Sequence, residues 1–203
     1  MRTNILPALL AIFVGSSTLA QNSTEAGWLR YPAISPDGST IVFTYKGNLY
    51  RVSSGGGTAT PLTLHEAHDY QPVWSPDGKT IAFASDRYGN FDVFTIPATG
   101  GTTRRITYHN AAETPYSFAP DGQTILFGAA RLDAADNRQF ATGSLPELYS
   151  VSINGGRVSQ VLTTPAEDAR YAPAGKLIYY HDKKGGENAW RKHQTSAIAR
   201  DIW

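Results

Sequence analysis

Short runs of alternating apolar and polar residues recur along the chain, separated by Gly, Pro, Asp and Ser. In Thr80-Ile81-Ala82-Phe83-Ala84-Ser85, Ile81 and Phe83 share one face while Ala82 and Ala84 share the other. That period of two predicts a strand over 80–85. A second run follows at Asp92-Val93-Phe94-Thr95-Ile96, matched by Asn48 to Val52 and by Glu147 to Val151. A third, Arg104 to Thr107, is matched by Thr60 to Thr63 and by Gln160 to Thr163. Ahead of them lies a run ending in Trp74-Ser75, read with Pro72 as its first residue, where proline removes no donor from inside the ladder. Pro76-Asp77-Gly78 is a turn in which Pro presets φ, Asp accepts from the backbone ahead and Gly takes positive φ. Gly55-Gly56-Gly57, Gly100-Gly101 and Gly155-Gly156 read as further hairpin turns.

This group of four strands repeats. Trp74-Ser75-Pro76-Asp77-Gly78-Lys79-Thr80-Ile81-Ala82-Phe83 has copies at Ile34 to Phe43 and at Phe118 to Phe127. A worn fourth copy runs from Tyr171 to Tyr179, with Ala174 where the others carry Asp. Asp37, Asp77 and Asp121 stand 40 and 44 apart. A period near 40–45 with four strands per unit fits a propeller blade. The fold class expected is all-β: a β-propeller of four-stranded antiparallel blades, about 28–63, 70–107, 114–163 and 169–203. One blade alone would leave both apolar faces wet, so blades must stack. The fourth repeat reaches only Asp201-Ile202-Trp203, which aligns with Asp92-Val93-Phe94. Three complete blades and a truncated fourth therefore make a partial ring, and the chain is expected to be incomplete.

The hairpin between the second and third strands grows from repeat to repeat. The step is 6 from Phe43 to Leu49, 10 from Phe83 to Val93, 21 from Phe127 to Leu148 and 23 from Tyr179 to Ile202. Ala129 to Pro146 and Lys183 to Arg200 are accordingly expected on one face of the disc, the usual place for binding insertions.

The 18 Lys and Arg residues balance 17 Asp and Glu, for a net charge of +1, which gives no support to a nucleic-acid or acidic-membrane partner. With no Cys there are no disulfides, thiolate metal sites or Cys nucleophile. Met1 to Asn4 carries one positive charge, Ile5 to Val14 is apolar apart from Pro7, and Thr18-Leu19-Ala20 supplies small residues. Residues 1–20 read as a signal peptide cleaved after Ala20, too short in its apolar run to span a bilayer. A lead-in of 21–27 follows, with a sequon at Asn22-Ser23-Thr24, and export to the periplasm or medium is expected.

Each chemical motif has a plainer reading. Gly78-Lys79-Thr80 resembles a phosphate-loop tail, but Val73 stands where that loop needs Gly. His65 and His68 are three apart rather than four and fall between repeats, so they read as an inter-blade loop. Asp133, Asp136 and Asn137 lack calcium-loop spacing. His181 and Asp182 point apart on a strand. Asp86-Arg87, with Asp182-Lys183 aligned to it, reads as a solvated surface pair. There is no Gly-x-Ser-x-Gly elbow. No catalytic, cofactor-binding or metal residue is assigned, and no cofactor is expected.

The Ser-Pro-Asp-Gly-Lys turn and Ser85-Asp86-Arg87 resemble the PD40 or TolB-like propeller repeat across 28–203. Phe83 to Val93, Gly143 to Val151 and Trp190 to Ser196 are similar to the first propeller of tricorn-type serine peptidases. That resemblance implies a non-catalytic N-terminal propeller that admits or docks peptides for a downstream PDZ domain and Ser-His-acid core. Its partners would be a peptide or protein substrate and the rest of the same polypeptide, with homo-oligomerisation open. Alternatives are a TolB-like periplasmic protein-binding propeller without catalysis, or the propeller of a prolyl-oligopeptidase-type peptidase.

Overall fold

The computed structural model describes residues 27–131, 146–162, 164–182 and 201–202. Among them all regular structure is β, and no helix is long and apolar enough to cross a membrane. Blade 1 comprises β1 (Arg30–Ile34), β2 (Thr40–Tyr45), β3 (Asn48–Ser53) and β4 (Thr60–Pro61). Blade 2 comprises β5 (Asp69–Trp74), β6 (Thr80–Ser85), β7 (Asp92–Pro97) and β8 (Arg104–Arg105). Blade 3 comprises β9 (Glu113–Phe118), β10 (Thr124–Ala129), β11 (Glu147–Ser152) and β12 (Ser159–Leu162). Blade 4 has β13 (Ala166–Tyr171), β14 (Ile178–Asp182) and β15 (Asp201–Ile202). Each sheet is an antiparallel meander in chain order, and the sheets do not join into a closed ring. The partial propeller expected from the repeats is the fold observed.

The turn phrase folds alike in every blade. Gly38, Gly78, Gly122 and Gly175 all take φ between 68° and 73°, the left-handed region where glycine meets no Cβ penalty. Asp77 Oδ1 accepts from Ser75 Oγ at 2.6 Å and Lys79 N at 3.1 Å, and Ser75 Oγ accepts from Thr80 N at 2.9 Å. Blade 1 repeats this network through Ser35, Asp37 and Thr40. Blade 4 has Ala172 and Ala174 and retains only the backbone bonds, Gly175 N to Ala172 O and Ala172 N to Leu177 O.

Three apolar layers hold the blades together. Ile81, Phe83, Phe94 and Ile96 of blade 2 meet Val42, Leu49 and Leu62 of blade 1. Ala82, Val93 and Ile106 on the other side of blade 2 meet Phe118, Ile125, Phe127 and Tyr149 of blade 3. Leu126, Leu148 and Tyr116 of blade 3 meet Ala166 and Ala169, with Ile178 and Tyr180 packed alongside. The alternation read from the sequence thus assigns successive side chains of one strand to different blade interfaces. Each large side chain buried in these layers contributes about 1.5–3 kcal/mol.

Two readings are corrected. Pro72 is not the first residue of its strand: β5 begins at Asp69, and Pro72 sits inside it. A register shift between Tyr70 and Val73, with Gln71 at φ 54°, makes a bulge where no ladder donor is required of proline. In blade 4, Arg170 pairs Tyr179 and Tyr171 pairs Ile178, as Val73 pairs Ala82 and Trp74 pairs Ile81. Tyr180, not Tyr179, is therefore the counterpart of Phe83. Asp182, opposite Asp201, takes the place of Ser85, opposite Asp92, so Asp182-Lys183 does not align with Asp86-Arg87. Tyr179 instead stands half exposed on the outer side of blade 4. The signal peptide, the sequon, the Asp133 region and most of both long hairpins lie outside the described residues.

Candidate functional site

The first strand of each blade, β1, β5, β9 and β13, is an edge strand of its sheet, and the four lie side by side. Their surfaces enclose an inner groove of about 450 Å³. Tyr31, Pro32, Gln71, Pro72, Phe118 and Arg170 line it. Tyr31, Gln71 and Asp168 take φ of 51°, 54° and 51° at the same point of their blades. Each of these left-handed residues costs roughly 1–2 kcal/mol, so the surrounding packing must hold the kinks in place. Tyr31 tilts onto Tyr70 at 5.3 Å, and Tyr70 Oη lies 2.8 Å from Thr114 Oγ1. Burial pushes the Tyr70 phenol up, against the opposing pull of that hydrogen bond. The groove offers an extended chain apolar contact, one guanidinium and free strand edges. Pro32 and Pro72 lack an N–H there, which limits indiscriminate edge pairing.

Blades 2 and 3 each carry a buried ion pair of the same kind. Arg87 Nη2 donates to Asp69 Oδ2 at 2.8 Å, and the Asp69 side chain is 0% exposed. Arg87 also donates to Thr103 Oγ1 at 2.7 Å and Ser85 Oγ at 3.1 Å, and its guanidinium lies over Phe83 and Phe94. Blade 3 builds the same unit from Arg131 and buried Glu113, with Arg131 over Phe127 and Tyr149. The reading of Arg87 as half of a solvated pair is thereby overturned. Its acid is Asp69, while Asp86 Oδ1 accepts from His68 N at 2.7 Å and ties down the inter-blade loop. The signal was present: each acid lies seven residues before its turn proline, Pro76 or Pro120, and each Arg eleven after it.

A third pair joins Arg105 Nη2 to the buried Asp92 Oδ2 at 2.7 Å. Burial pushes Asp92 up to about 6, with Arg105 opposing and Glu113 adding to the rise. Arg105 is sandwiched between Tyr88 and Tyr108, 4.5 and 4.6 Å from the ring centroids.

The remaining sequence candidates have structural places. His65 Nδ1 accepts from Ala67 N at 2.9 Å, and His109 Nδ1 from Ala111 N at 3.0 Å, so both cap inter-blade loops. His68 packs edge-on against Tyr70 and Phe91 rather than joining His65. His181 Nδ1 lies 3.2 Å from Asp168 Oδ2 across the strand pair. Gly78 N is used by Ser75 O and Lys79 N by Asp77, as a turn requires. Among the described residues no group of three or more His, Asp or Glu is placed to hold a metal.

Comparison with known proteins adds the following. Residues 26–203 match the family described as the tricorn protease N-terminal beta propeller domain. A structure assigned as TolB from Agrobacterium tumefaciens superposes with a TM-score of 0.68 at 23% identity, covering 86% of this chain and 57% of that one. The crystal structure of the tricorn protease gives 0.56 at 12% identity, covering 86% of this chain and 16% of that one. At these identities the structural likenesses speak to fold. The uncharacterized peptidase YuxL of Bacillus subtilis is 33% identical over 69 residues, 29% of this chain and 10% of that protein. The chain thus spans less than two thirds of each of these proteins.

Proposed function

Because the chain belongs to the tricorn protease N-terminal β-propeller family, we propose that it serves as the propeller portion of an exported tricorn-like serine peptidase. It does no chemistry itself. Its role is to hold and admit extended peptides for a proteolytic core elsewhere in the polypeptide. The observation that carries this reading is the inner groove, where four edge strands present kinked backbone, aromatic rings and Arg170 to one channel. Such a surface receives a main chain by strand addition and apolar contact, without selecting a single side chain. Export rests on the charged start, apolar run and small residues of the first twenty positions. Mass spectrometry of the mature protein should then find Gln21 at the N-terminus.

The functional test compares full-length protein with Arg170→Trp, which fills the groove. Cleavage of long unstructured peptides should lose kcat/KM, while short peptides that bypass the groove are cut as before. Equal rates on long peptides, or equal losses on long and short, would refute the admission role.

A further inference from the structure

We propose that the cavity between blades 1 and 2, on the face of the turns, binds the guanidinium of an arginine side chain carried by a peptide segment. This site adjoins the inner groove, with which it shares Pro36, Trp74 and Pro76 as walls, but does not depend on the groove's role. The cavity is about 720 Å³, within the range of ligand pockets. Asp37, Thr60, Trp74, Asp77 and Thr99 are among its walls.

The repeat itself shows what such a cavity takes. Thr60 pairs with Arg51 in blade 1, as Arg104 pairs with Thr95 in blade 2, so Thr60 and Arg104 are equivalent. Ala98 N bonds Lys79 O as Ile153 N bonds Gln123 O, so Thr99 is equivalent to Asn154. Between blades 2 and 3 the Arg104 guanidinium crosses over and donates to Asn154 O. That interface is thus bridged by an exposed guanidinium of its own. Between blades 1 and 2 the shorter Thr60 replaces the arginine, Ala98 replaces the bulkier Ile153, and a cavity opens.

Its electrostatics favour the same guest. Asp37 and Asp77 give the lining two negative charges against the single positive charge of Arg51, whose Nη1 is already committed to Ala98 O at 3.0 Å. Hydrogen bonds from Ser35 and Ser39 hold Asp37 down to about 2, and bonds from Ser75 and Lys79 lower Asp77 likewise, so both stay ionised. The Lys79 charge also acts on Asp77 and partly offsets it. Trp74 donates its Nε1–H to Ala33 O at 3.0 Å, which fixes the indole as a wall on which a planar cation can stack.

Calorimetric titration of the full-length chain with N-acetyl-arginine amide tests this, with the citrulline and lysine analogues as controls. The arginine amide should saturate and bind at least about fivefold tighter than its neutral citrulline isostere, the scale of one charge-assisted contact. It should also exceed the lysine amide. Asp37→Asn should weaken binding, and Thr60→Arg should abolish it by supplying the internal arginine. Arg170→Trp should leave it unchanged, which separates this site from the inner groove. Absence of binding, citrulline or lysine binding as well as arginine, or undiminished binding by either Asp37→Asn or Thr60→Arg would overturn the proposal.

Discussion

Arg87→Ala tests the buried pairs most directly. The substitution strands Asp69, whose side chain is fully buried and whose Oδ2 depends on Arg87 Nη2. It also removes the donors to Ser85 and Thr103 and uncovers the faces of Phe83 and Phe94. Removing one partner of a buried ion pair costs about 3–5 kcal/mol, because the survivor is left as an uncompensated charge. The surface pair inferred from sequence would have cost about 0–1 kcal/mol. Hydrogen exchange of the amides of β6 and β7 in the full-length protein, followed by mass spectrometry, distinguishes the two. At about 1.4 kcal/mol per decade, protection should fall by roughly two to four decades in blade 2. Arg87→Ala with Asp69→Asn should recover much of the loss, since no buried charge remains. A loss below about 1 kcal/mol in the single variant, or no recovery in the double, would refute the argument.

Asp92 gives a pH signature. Its folded pKa of about 6 lies above the ordinary 3.8, so the folded state holds the proton more tightly. The associated stability, about 3 kcal/mol, is present below pH 4 and lost as pH rises through 6. Asp92→Asn should flatten that part of the stability–pH curve measured by urea unfolding. Gly128→Ala should destabilise by about 1–3 kcal/mol, since its Cβ would lie 2.1 Å from Tyr116 Oη, and a lowered melting temperature would report it. Ala172→Ser with Ala174→Asp should restore the side-chain network of the fourth turn, gaining about 1 kcal/mol and raising protection of blade 4 amides.

The blades were legible because period-two alternation and the Pro-Asp-Gly turn agree within each repeat. Where that agreement fails, so does the reading. Leu177-Ile178-Tyr179-Tyr180 contains no polar residue to mark a face, so a one-residue slip left no trace in the pattern. The Asp69–Arg87 pair spans 18 residues and becomes a contact only once β5 and β6 are aligned. The inner groove has no single local motif, being assembled from short stretches of four repeats. Gly128, inside a strand, was an unused signal for the close approach of Tyr116.

The glycines of the turns have a second neighbour besides their own backbone. A Cβ on Gly78 would lie 3.7 Å from Pro36 Cδ, one on Gly122 3.7 Å from Pro76 Cδ, and one on Gly175 3.2 Å from Pro120 Cγ. Each turn is therefore seated against the proline of the preceding blade, like successive treads of a stair. A residue inserted in one turn would unseat its neighbours as well as itself. The opposite end of the strands is coupled differently, by backbone hydrogen bonds to the next blade: Asp69 N donates to Gly47 O at 2.7 Å, Glu113 N to Phe91 O at 2.8 Å and Ala166 N to Pro146 O at 2.9 Å. The turn phrase is thus held to one length by its neighbours, whereas the step from second to third strand lengthens from repeat to repeat in the sequence, so insertion there leaves the stair of turns in place.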